Sequence, residues 1–487
     1  MKPQNILFIM SDEHNIKHMG CSGHPMTQTP NLDALAARGT RFTATYTPSP
    51  ICVPARAAFA TGRYPHEIRN WCNGTPYTGK VKGWGHRLQE EGHHVASIGK
   101  LHYRNELDDT GFDEQIVPMH VIDGIGDVLG AVRDQNPLPV RYQCQKLSEG
   151  IGPGDSNYLQ YDRDILVESD KWFKEEAPKY QDKPWALFVS FVCPHFPLVA
   201  PQEFYDLYDP AKLPVPKARP DSGYERHPWV EGLANCQIYD RFFTDETRNI
   251  ARAAYMGMVS FLDDNIGKLL ASLEEHGLAN NTRIVYTSDH GDNLGARGLW
   301  GKSNFYEEAG AVPFIMAGDD VPRGKVCNTA ANLLDCYQTI LDCVGVEMND
   351  KDRSLPGASL YPIAASPDDP SRAIGAEYHA AGAISGAFMM RRGPHKYVHY
   401  MGLDPELYDL DEDPEEMNNL ALNANGELKD FDTALREIFD PEAIDKLVRE
   451  DQAGLVEKHG GRDAVLERGG FLGTPPPGHK AEFVKSE

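Results

Sequence analysis

Short, uniformly apolar runs recur along the chain and alternate with segments that have a helical repeat. Each run carries Ile, Val, Leu or Phe at consecutive positions, as expected for strands buried on both faces of a parallel sheet. The runs that we interpret as strands are residues 5–10, 94–99, 185–193, 283–288 and 312–317. Helices are predicted at residues 31–38, 244–275 and 331–344. This alternation predicts an α/β fold, in which a large and mostly parallel sheet is sandwiched by helices.

The pattern changes after Pro356, where short extended pieces are separated by Gly, Pro and Asp. These pieces, residues 373–378, 387–392, 396–400 and 406–410, predict a smaller α+β subdomain that contains an antiparallel sheet. We therefore predict a catalytic α/β domain over residues 1–355, a C-terminal subdomain over 356–458 and a Gly/Pro-rich tail over 459–487. The tail has no pattern of a compact core, so it is expected to be disordered or to dock on a neighbouring subunit of a homo-oligomer.

Charge and cysteine content exclude several classes of partner. The chain has 48 Lys and Arg against 72 Asp and Glu, which gives a formal net charge of −24. Such a surface repels nucleic acid, anionic membranes and extended sulfated or phosphorylated polymers, so an anionic substrate should be small. The early apolar run at residues 6–10 is too short for a signal peptide or a membrane span. Nine cysteines without a CxxC pair argue against a disulfide framework and a zinc ribbon, and we expect a cytoplasmic protein with reduced, buried thiols.

Polar side chains follow four of the predicted strands at the point where each strand ends. The segments are Ser11-Asp12-Glu13-His14, Lys100-Leu101-His102, Pro194-His195 and Asp289-His290-Gly291-Asp292. An Asp after a strand is also a common cap or turn residue, so each segment alone has a structural explanation. Ligands of open α/β sheets bind beyond the carboxyl ends of the strands, and we therefore expect the four ends to form one site.

Four of these residues offer a set of metal ligands. Asp12, Glu13 and Asp289 supply carboxylates, and His290 supplies an imidazole. Hard oxygen ligands with one nitrogen suit Ca²⁺, Mg²⁺ or Mn²⁺ better than a structural Zn²⁺, which prefers thiolates and more histidine. The sequence therefore predicts a divalent cation at this site.

Residues 49–63 place a cysteine at the start of a predicted helix. Pro54 fits the first helical position and Gly62 fits the end, so Cys52 should lie at the positive N-terminus of the helix, near Arg56. A buried and inert thiol is the ordinary interpretation of such a cysteine. The helix end and Arg56 would instead stabilise a thiolate, or another group that develops negative charge.

The segment Cys52-Val-Pro-Ala-Arg56, followed by Ala-Ala-Phe-Ala-Thr-Gly-Arg-Tyr-Pro-His, resembles the sulfatase signature C-x-P-x-R. Further motifs resemble those of the family and occur in the family order, at residues 3–12, 29–36, 99–102, 194–197, 287–291, 300–302 and 406–414. Because this conjunction is highly specific, the chain is identified as a member of the sulfatase branch of the alkaline-phosphatase-like superfamily. The pair Asp289-His290 resembles choline-sulfatase-like and phosphonate-monoester-hydrolase-like members. Ala55 stands where the family often has Ser, and Glu13 where it usually has Asp, Asn or Gln.

The resemblance implies a mechanism and a role for each site residue. Cys52 would be oxidised to formylglycine by a formylglycine-generating enzyme, and the hydrated aldehyde would attack the ester. Lys100, His195 and Lys302 would bind the transferred group. Either His195 or Lys302 would protonate the leaving alcohol, and His102 would take a proton from the nucleophile. The implied ligands of one Ca²⁺ or Mn²⁺ are Asp12, Glu13, Cys52, Asp289 and His290, and the implied catalytic residues are Cys52, Arg56, Lys100, His102, His195 and Lys302.

We therefore predict a sulfuric ester hydrolase that acts on a small, anionic sulfate monoester. A phosphonate monoester or phosphodiester hydrolase is the first alternative, because the same cation, diol and basic residues would stabilise a pentavalent phosphoryl transition state. A catalytically silent homologue, in which Cys52 stays a thiol and the metal is only structural, is the second.

Overall fold

The computed structural model describes residues 2–134, 137–422 and 427–486. In chain order its strands are β1 (Asn5–Asp12), β2 (Gly39–Phe42), β3 (Thr45–Tyr46), β4 (Val95–Lys100), β5 (Glu114–Met119), β6 (Ile151–Pro153), β7 (Ala186–Pro194), β8 (Leu198–Ala200), β9 (Thr282–Ser288), β10 (Phe314–Ala317), β11 (Lys325–Cys327), β12 (Ala331–Asn332), β13 (Ala373–Tyr378), β14 (Ala387–Arg392), β15 (His395–Tyr400) and β16 (Glu406–Asp409). Its α-helices are α1 (Pro30–Ala37), α2 (Cys52–Thr61), α3 (Pro65–Ile68), α4 (Trp84–Glu90), α5 (Gln145–Glu149), α6 (Asn157–Glu175), α7 (Gln202–Tyr205), α8 (Pro228–Cys236), α9 (Asp245–Glu275), α10 (Glu307–Gly310), α11 (Asp335–Val344), α12 (Asp350–Arg353), α13 (Leu360–Ala365), α14 (Glu427–Arg436), α15 (Pro441–Lys458) and α16 (Gly461–Arg468).

The main sheet has eight strands within the described residues, in the order β11-β2-β10-β9-β1-β7-β4-β5. The strands β9, β1, β7, β4 and β5 run parallel, whereas β10 is antiparallel to both of its neighbours. The predicted large and mostly parallel sheet is therefore confirmed. The predicted strand at residues 312–317 corresponds to β10, and the other four predicted strands correspond to β1, β4, β7 and β9.

Helices cover both faces of the main sheet because alternate side chains of the central strand β1 enter opposite cores. Leu7 and Ile9 belong to a core that includes residues of α6 and α9. Phe8 and Met10 belong to a second core that includes residues of α2, α4 and α11. Burial of one such side chain stabilises the fold by roughly 1.5–3 kcal/mol. A strand that serves two cores cannot alternate polar and apolar residues, which explains its continuous apolar sequence.

A second sheet, β13-β14-β15-β16, is antiparallel throughout. Its Phe388 and Met390 share a core with Ala58 of α2 and with Trp71. The predicted smaller part with an antiparallel sheet is confirmed, and α2 packs against the second sheet as well as the first. The boundaries at residues 355 and 458 stay a prediction.

The tail differs from its prediction. Residues 461–468 form α16, and Gly470 pairs with Val484 further along the same segment. The hydroxyl of Tyr158 donates a hydrogen bond to the carbonyl oxygen of Thr474 at 2.5 Å. The expectation of a disordered tail is therefore wrong, because residues 461–468 form a helix and Thr474 contacts Tyr158 of the same chain. Docking of the tail on a neighbouring subunit stays a prediction. The Gly- and Pro-rich composition indicates a lack of regular periodicity, and it carries no information on where such a segment docks.

Two further expectations concern the cysteines and the membrane. All nine cysteines are free, and all except Cys21 are buried, as predicted. Among the helices of the described ranges, none combines the length and the apolar composition needed to cross a bilayer.

Candidate active site

The four strand ends that carry polar residues lie side by side. In the main sheet β9, β1, β7 and β4 are consecutive neighbours and run parallel. Their carboxyl ends therefore bring Asp289, Asp12, His195 and Lys100 to one edge of the sheet. The predicted convergence of these segments on one site is confirmed by this strand order.

Helix α2 presents Cys52 to this edge. The helix begins at Cys52, two residues before the predicted start at Pro54, and it ends before Gly62, whose φ of 65° suits glycine. Its N-cap residue, Ile51, provides no side-chain hydrogen bond to the free backbone N–H groups. The Sγ atom of Cys52 lies 3.0 Å from Nε2 of His290 and 3.8 Å from Oδ1 of Asp12.

Arg56, one helical turn further along α2, holds two of the carboxylates. Its Nε donates to Oδ2 of Asp289 at 2.7 Å, and its Nη2 donates to Oδ2 of Asp12 at 3.3 Å. Its Nη1 donates to the carbonyl oxygen of Lys100 at 2.8 Å and to Oγ of Ser190 at 2.9 Å. These contacts fix α2 to three strands of the sheet. Removal of either carboxylate would leave a buried guanidinium without a full set of partners.

The environment of Cys52 disfavours a thiolate. Burial and the Asp12 carboxylate together raise the pKa of the thiol to about 11, against the opposite effects of Lys302 and Lys100. The predicted stabilisation of a thiolate is therefore wrong for the unmodified side chain. The main reason is burial of the thiol. In addition, Arg56, which was expected to act on Cys52, directs its donors to other groups.

The residues at this edge fit a hard divalent cation. One ligand atom from each of Asp12, Cys52, Asp289 and His290 lies within 4.8 Å of the others, and all four residues are buried. Glu13 belongs to an overlapping group with Asp12 and His195, and its buried Oε1 has no hydrogen-bond partner. Carboxylate oxygens with one imidazole are the donors that Ca²⁺ or Mn²⁺ would find here.

Lys302 and His195 form a pair beside Glu13. The Nζ atom of Lys302 lies 2.8 Å from Nε2 of His195 and 3.0 Å from Oε2 of Glu13. Burial lowers the pKa of His195 well below its usual value, and Lys302 adds to this effect. The pKa of Lys302 is raised, because Cys52 and Glu13 oppose the effect of burial. The site therefore holds a cationic lysine next to a neutral imidazole.

His102 lies at the end of β4 and contacts the tail. Its backbone adopts a left-handed conformation with a φ of 59°, and its Nε2 lies 2.7 Å from Oγ1 of Thr474. Burial lowers the pKa of His102 well below its usual value, and Lys100 and Arg56 lower it further. His102 is therefore a neutral base. Thr474 was not predicted as a site residue, because it lies in the Pro-rich tail and not at a strand end.

A cavity of about 70 Å³ opens on these groups, which limits its contents to a compact molecule. Cys52, His102, His195 and Lys302 line it. The sequence did not single out several other lining residues, because they belong to loops without a strand-end position: Asp127, Arg141, Gln143, Gln237, Tyr239 and 471–474. Asn73 is also in the lining.

A mostly parallel sheet with buried carboxylates, an imidazole and basic residues at one edge indicates a class of enzyme, hydrolases that act on anionic esters. Residues 4–346 match the family model described as Sulfatase, and residues 295–439 match the model for the C-terminal part of N-sulphoglucosamine sulphohydrolase. The chain belongs to the sulfatase family. The predicted family, and with it the prediction of a sulfuric ester hydrolase, is confirmed.

Individual relatives are similar to this chain over most of their length. The chain is 32% identical to a choline-sulfatase of Rhizobium meliloti over 460 residues, which cover 92% of this chain and 89% of the relative. The fold is similar to that of a phosphonate monoester hydrolase of Agrobacterium radiobacter, with a TM-score of 0.71, 21% identity and coverage of 92% and 96%. It is also similar to that of BT4656, solved with its substrate D-glucosamine-2-N,6-O-disulfate, with a TM-score of 0.68, 22% identity and coverage of 92% and 99%.

Proposed function

We propose that this chain hydrolyses a small sulfate monoester to an alcohol and sulfate, with a nucleophile made from Cys52. The observation that carries the proposal is the position of Cys52 at the first residue of α2, 3.0 Å from His290 and within the group formed by Asp12 and Asp289. Formylglycine would be produced from Cys52 by a formylglycine-generating enzyme. Its hydrate would provide the attacking oxygen. The unmodified thiol would be a poor nucleophile, because its pKa is raised to about 11.

Asp12, Asp289, His290 and the group made from Cys52 would hold one divalent cation, Ca²⁺ or Mn²⁺. Glu13 is a further ligand candidate, since its Oε1 is buried without a partner. When bound, the cation would lower the pKa of a coordinated hydroxyl and offset negative charge on the ester. Arg56 would hold Asp12 and Asp289 in the correct orientation, because it donates to both carboxylates.

Three basic residues would bind the sulfuryl oxygens. Lys100 forms an ion pair with Asp12, and Lys302 contacts His195 and Glu13. Their donors are already fixed in a buried site, so little reorganisation is needed when charge develops on the transferred group. Lys302, the cationic member of its pair with His195, would protonate the leaving alcohol. His102, neutral because burial lowers its pKa, would accept a proton from the hydrated nucleophile and so release sulfate.

The mass of the peptide that contains Cys52 tests the proposed nucleophile. After co-expression with a formylglycine-generating enzyme, we expect this peptide to lose the mass difference between a thiol and an aldehyde, and the protein to hydrolyse 4-nitrophenyl sulfate. An unmodified thiol under these conditions, together with bound metal and no turnover, would favour the silent homologue instead.

The rates of hydrolysis of a sulfate ester and of a phosphonate ester distinguish the proposed sulfatase from a phosphonate monoester hydrolase. Basic residues that bind sulfuryl oxygens also bind phosphoryl oxygens, so the site itself is compatible with both. We expect one preparation to show a higher kcat/KM for 4-nitrophenyl sulfate than for 4-nitrophenyl phenylphosphonate. The reverse order would make the chain primarily a phosphonate monoester hydrolase.

A further inference from the structure

The cavity that contains Cys52 is also lined by a guanidinium group that the proposed reaction does not use. Arg141 lines this cavity, and its side chain is only 9% exposed. Its backbone N–H donates to the carbonyl oxygen of Cys236 at 2.9 Å, which anchors its segment to the end of α8. Burial of a charge costs desolvation energy unless the charged group finds partners. The partners of the three guanidinium nitrogens therefore decide what Arg141 can do.

Two of these nitrogens are engaged by groups of the protein. Nη2 of Arg141 donates to Oδ2 of Asp127 at 2.6 Å. With the amide oxygen of Gln143 turned towards Arg141, that oxygen accepts from Nη2 at 2.9 Å and from Nε at 3.0 Å. Although burial lowers the pKa of Arg141, Asp127 raises it above its usual value. The side chain is therefore held as a cation, and the plane of its guanidinium group is fixed by contacts on one side.

The third nitrogen, Nη1 of Arg141, donates to no group of the described residues. It also differs from Oδ1 of Asp127, which is buried and has no partner, because Nη1 retains exposed surface. Arg141 contributes to the wall of the Cys52 cavity, so this surface is open to a molecule inside it. The N–H groups of Nη1 are donors only, and they can pair with an acceptor of a ligand.

The other polar side chains of the wall supply no acceptor to Nη1. Gln237 donates from Nε2 to Oγ of Ser303 and to the carbonyl oxygen of Ala381, and its Oε1 is an uncharged acceptor. Oδ1 of Asn73 accepts from the backbone N–H of Val53, directly beside Cys52. Among the described residues that line the cavity, Arg141 is the only cation outside the proposed catalytic group.

We propose that Arg141 is a specificity-determining residue, and that the alcohol part of the ester carries a carbonyl or carboxylate oxygen that accepts a hydrogen bond from Nη1. The inference rests on the proposed hydrolysis of a sulfate ester. Because Cys52 and Arg141 line the same cavity of about 70 Å³, a compact ester reaches both. An ester without an acceptor would displace water from Nη1 and leave a charged donor unpaired, which such sites discriminate against strongly.

Three esters of nearly the same shape isolate the effect of the acceptor. 2-Oxopropyl sulfate and carboxymethyl sulfate carry acceptor oxygens where isobutyl sulfate carries methyl groups. We expect both to bind Cys52→Ala protein at least about tenfold more tightly than isobutyl sulfate does, as measured by isothermal titration calorimetry. The comparison of 2-oxopropyl with isobutyl sulfate is decisive, because neither has a charge in the alcohol part. Equal affinities for these two esters, or tighter binding of isobutyl sulfate, would overturn the proposal.

A substitution at Arg141, added to Cys52→Ala protein, provides the second test. In Arg141→Lys the ammonium group can keep the ion pair with Asp127, but it supplies no second nitrogen in a fixed plane. We therefore expect the preference for 2-oxopropyl over isobutyl sulfate to fall towards one. Arg163→Lys, at an ion pair with Asp155 on the surface, should keep the full preference. A thermal melt of each variant verifies folding, and an unchanged preference in folded Arg141→Lys protein would overturn the assignment.

The two proposals fail in different ways. Turnover of 4-nitrophenyl sulfate and the mass of the Cys52 peptide test the proposed function without any comparison between the three small esters. The calorimetric comparison needs no turnover, and it is independent of the acidity of the leaving alcohol. A protein that hydrolyses 4-nitrophenyl sulfate but binds 2-oxopropyl and isobutyl sulfate equally would keep the proposed function, and the role assigned to Arg141 would be wrong.

Discussion

The contribution of a single cysteine to chemistry can be separated from its contribution to packing. Cys52 lies against polar groups, with Sγ at 3.0 Å from His290, whereas Cys336 is fully buried in an apolar core. We expect Cys52→Ala to abolish hydrolysis with little change in melting temperature. Cys336→Ala should keep kcat and lose about 1 kcal/mol of unfolding free energy. Assays of hydrolysis and thermal melts of both variants check this, and an insoluble Cys52→Ala protein would contradict the assignment.

Substitution of two buried aspartates of one loop should have different effects on the metal content of the protein. Asp289 belongs to the group of potential ligands with Asp12, Cys52 and His290. Asp292 instead accepts backbone N–H groups of Leu294 and Gly301. We expect Asp289→Asn to lose both metal and activity, because a neutral amide binds a divalent cation more weakly than a carboxylate does.

Elemental analysis of folded protein measures this difference. The matched variant Asp292→Asn should retain close to the wild-type metal content per chain, since its carboxylate lies outside the ligand group. One full equivalent of metal in Asp289→Asn, or an equal loss in both variants, would refute the distinction between them.

Four of the site residues that the sequence predicted share one property. Asp12, Lys100, His195 and Asp289 all occupy or follow the end of a buried strand, and the order of the strands brings them together. Asp127, Arg141 and Thr474 belong to loops and to the tail. Their place in the cavity depends on tertiary docking, for which no local pattern in the sequence exists. The sequence therefore predicted the groups proposed for the reaction, and it missed other groups that line the cavity.

At the level of secondary-structure elements, strand positions were more predictable than strand directions. A strand buried on both faces is a continuous apolar run, so β1, β4, β7 and β9 were each found to within two residues. That β10 runs antiparallel depends on the path of residues 289–313, and an apolar run has no direction. Short pieces such as β11 and β12 were missed because two or three residues are too few for a pattern.

The tail is the element whose position was least predictable from the sequence. A substitution of Thr474 tests the role of the tail in the site. The Thr474 hydroxyl lies 2.7 Å from Nε2 of His102. We expect Thr474→Val to lower kcat about tenfold with little effect on KM, because an imidazole that loses its orienting hydrogen bond transfers protons less efficiently. The backbone bond from Tyr158 to Thr474 is unaffected by the substitution.

Thr474→Ser is the matched control, since it keeps the hydroxyl and removes a methyl group. Steady-state kinetics with 4-nitrophenyl sulfate should show wild-type kcat for Thr474→Ser and reduced kcat for Thr474→Val. Equal losses in both variants would mean that the methyl group, and hence the packing of the tail, matters more than the hydrogen bond.

At the scale of the whole molecule, a buried charge cluster connects helix α3 with the C-terminal sheet. His66 of α3 donates its backbone N–H to Oε1 of Glu377 in β13, and its Nδ1 also lies 2.8 Å from this oxygen. His379 lies 3.0 Å from Oε2 of the same residue. Although burial raises the pKa of Glu377, His66 and His379 lower it to about 2. The carboxylate therefore stays ionised at neutral pH, where its partner His66 can add or remove a positive charge.

This cluster makes the stability of the molecule depend on pH with a definite sign. Burial lowers the pKa of His66, but Glu377 raises it above the ordinary value of 6.5. A histidine with a raised pKa in the folded state contributes stability that is fully present below the unfolded pKa and is lost as the pH rises through the folded pKa. We expect His66→Gln to lower the free energy of unfolding by up to about 1 kcal/mol at pH 6 and by less at pH 9.

Urea denaturation at the two pH values measures the difference, and the exposed His479 of the tail supplies the control. His479→Gln should leave the free energy of unfolding unchanged at both pH values, because this side chain is exposed. A loss in His66→Gln that is equal at pH 6 and pH 9 would show that His66 acts through packing and not through its charge. A loss confined to pH 6 would show that protonation of His66 strengthens the contact between α3, which follows the Cys52 helix, and the C-terminal sheet.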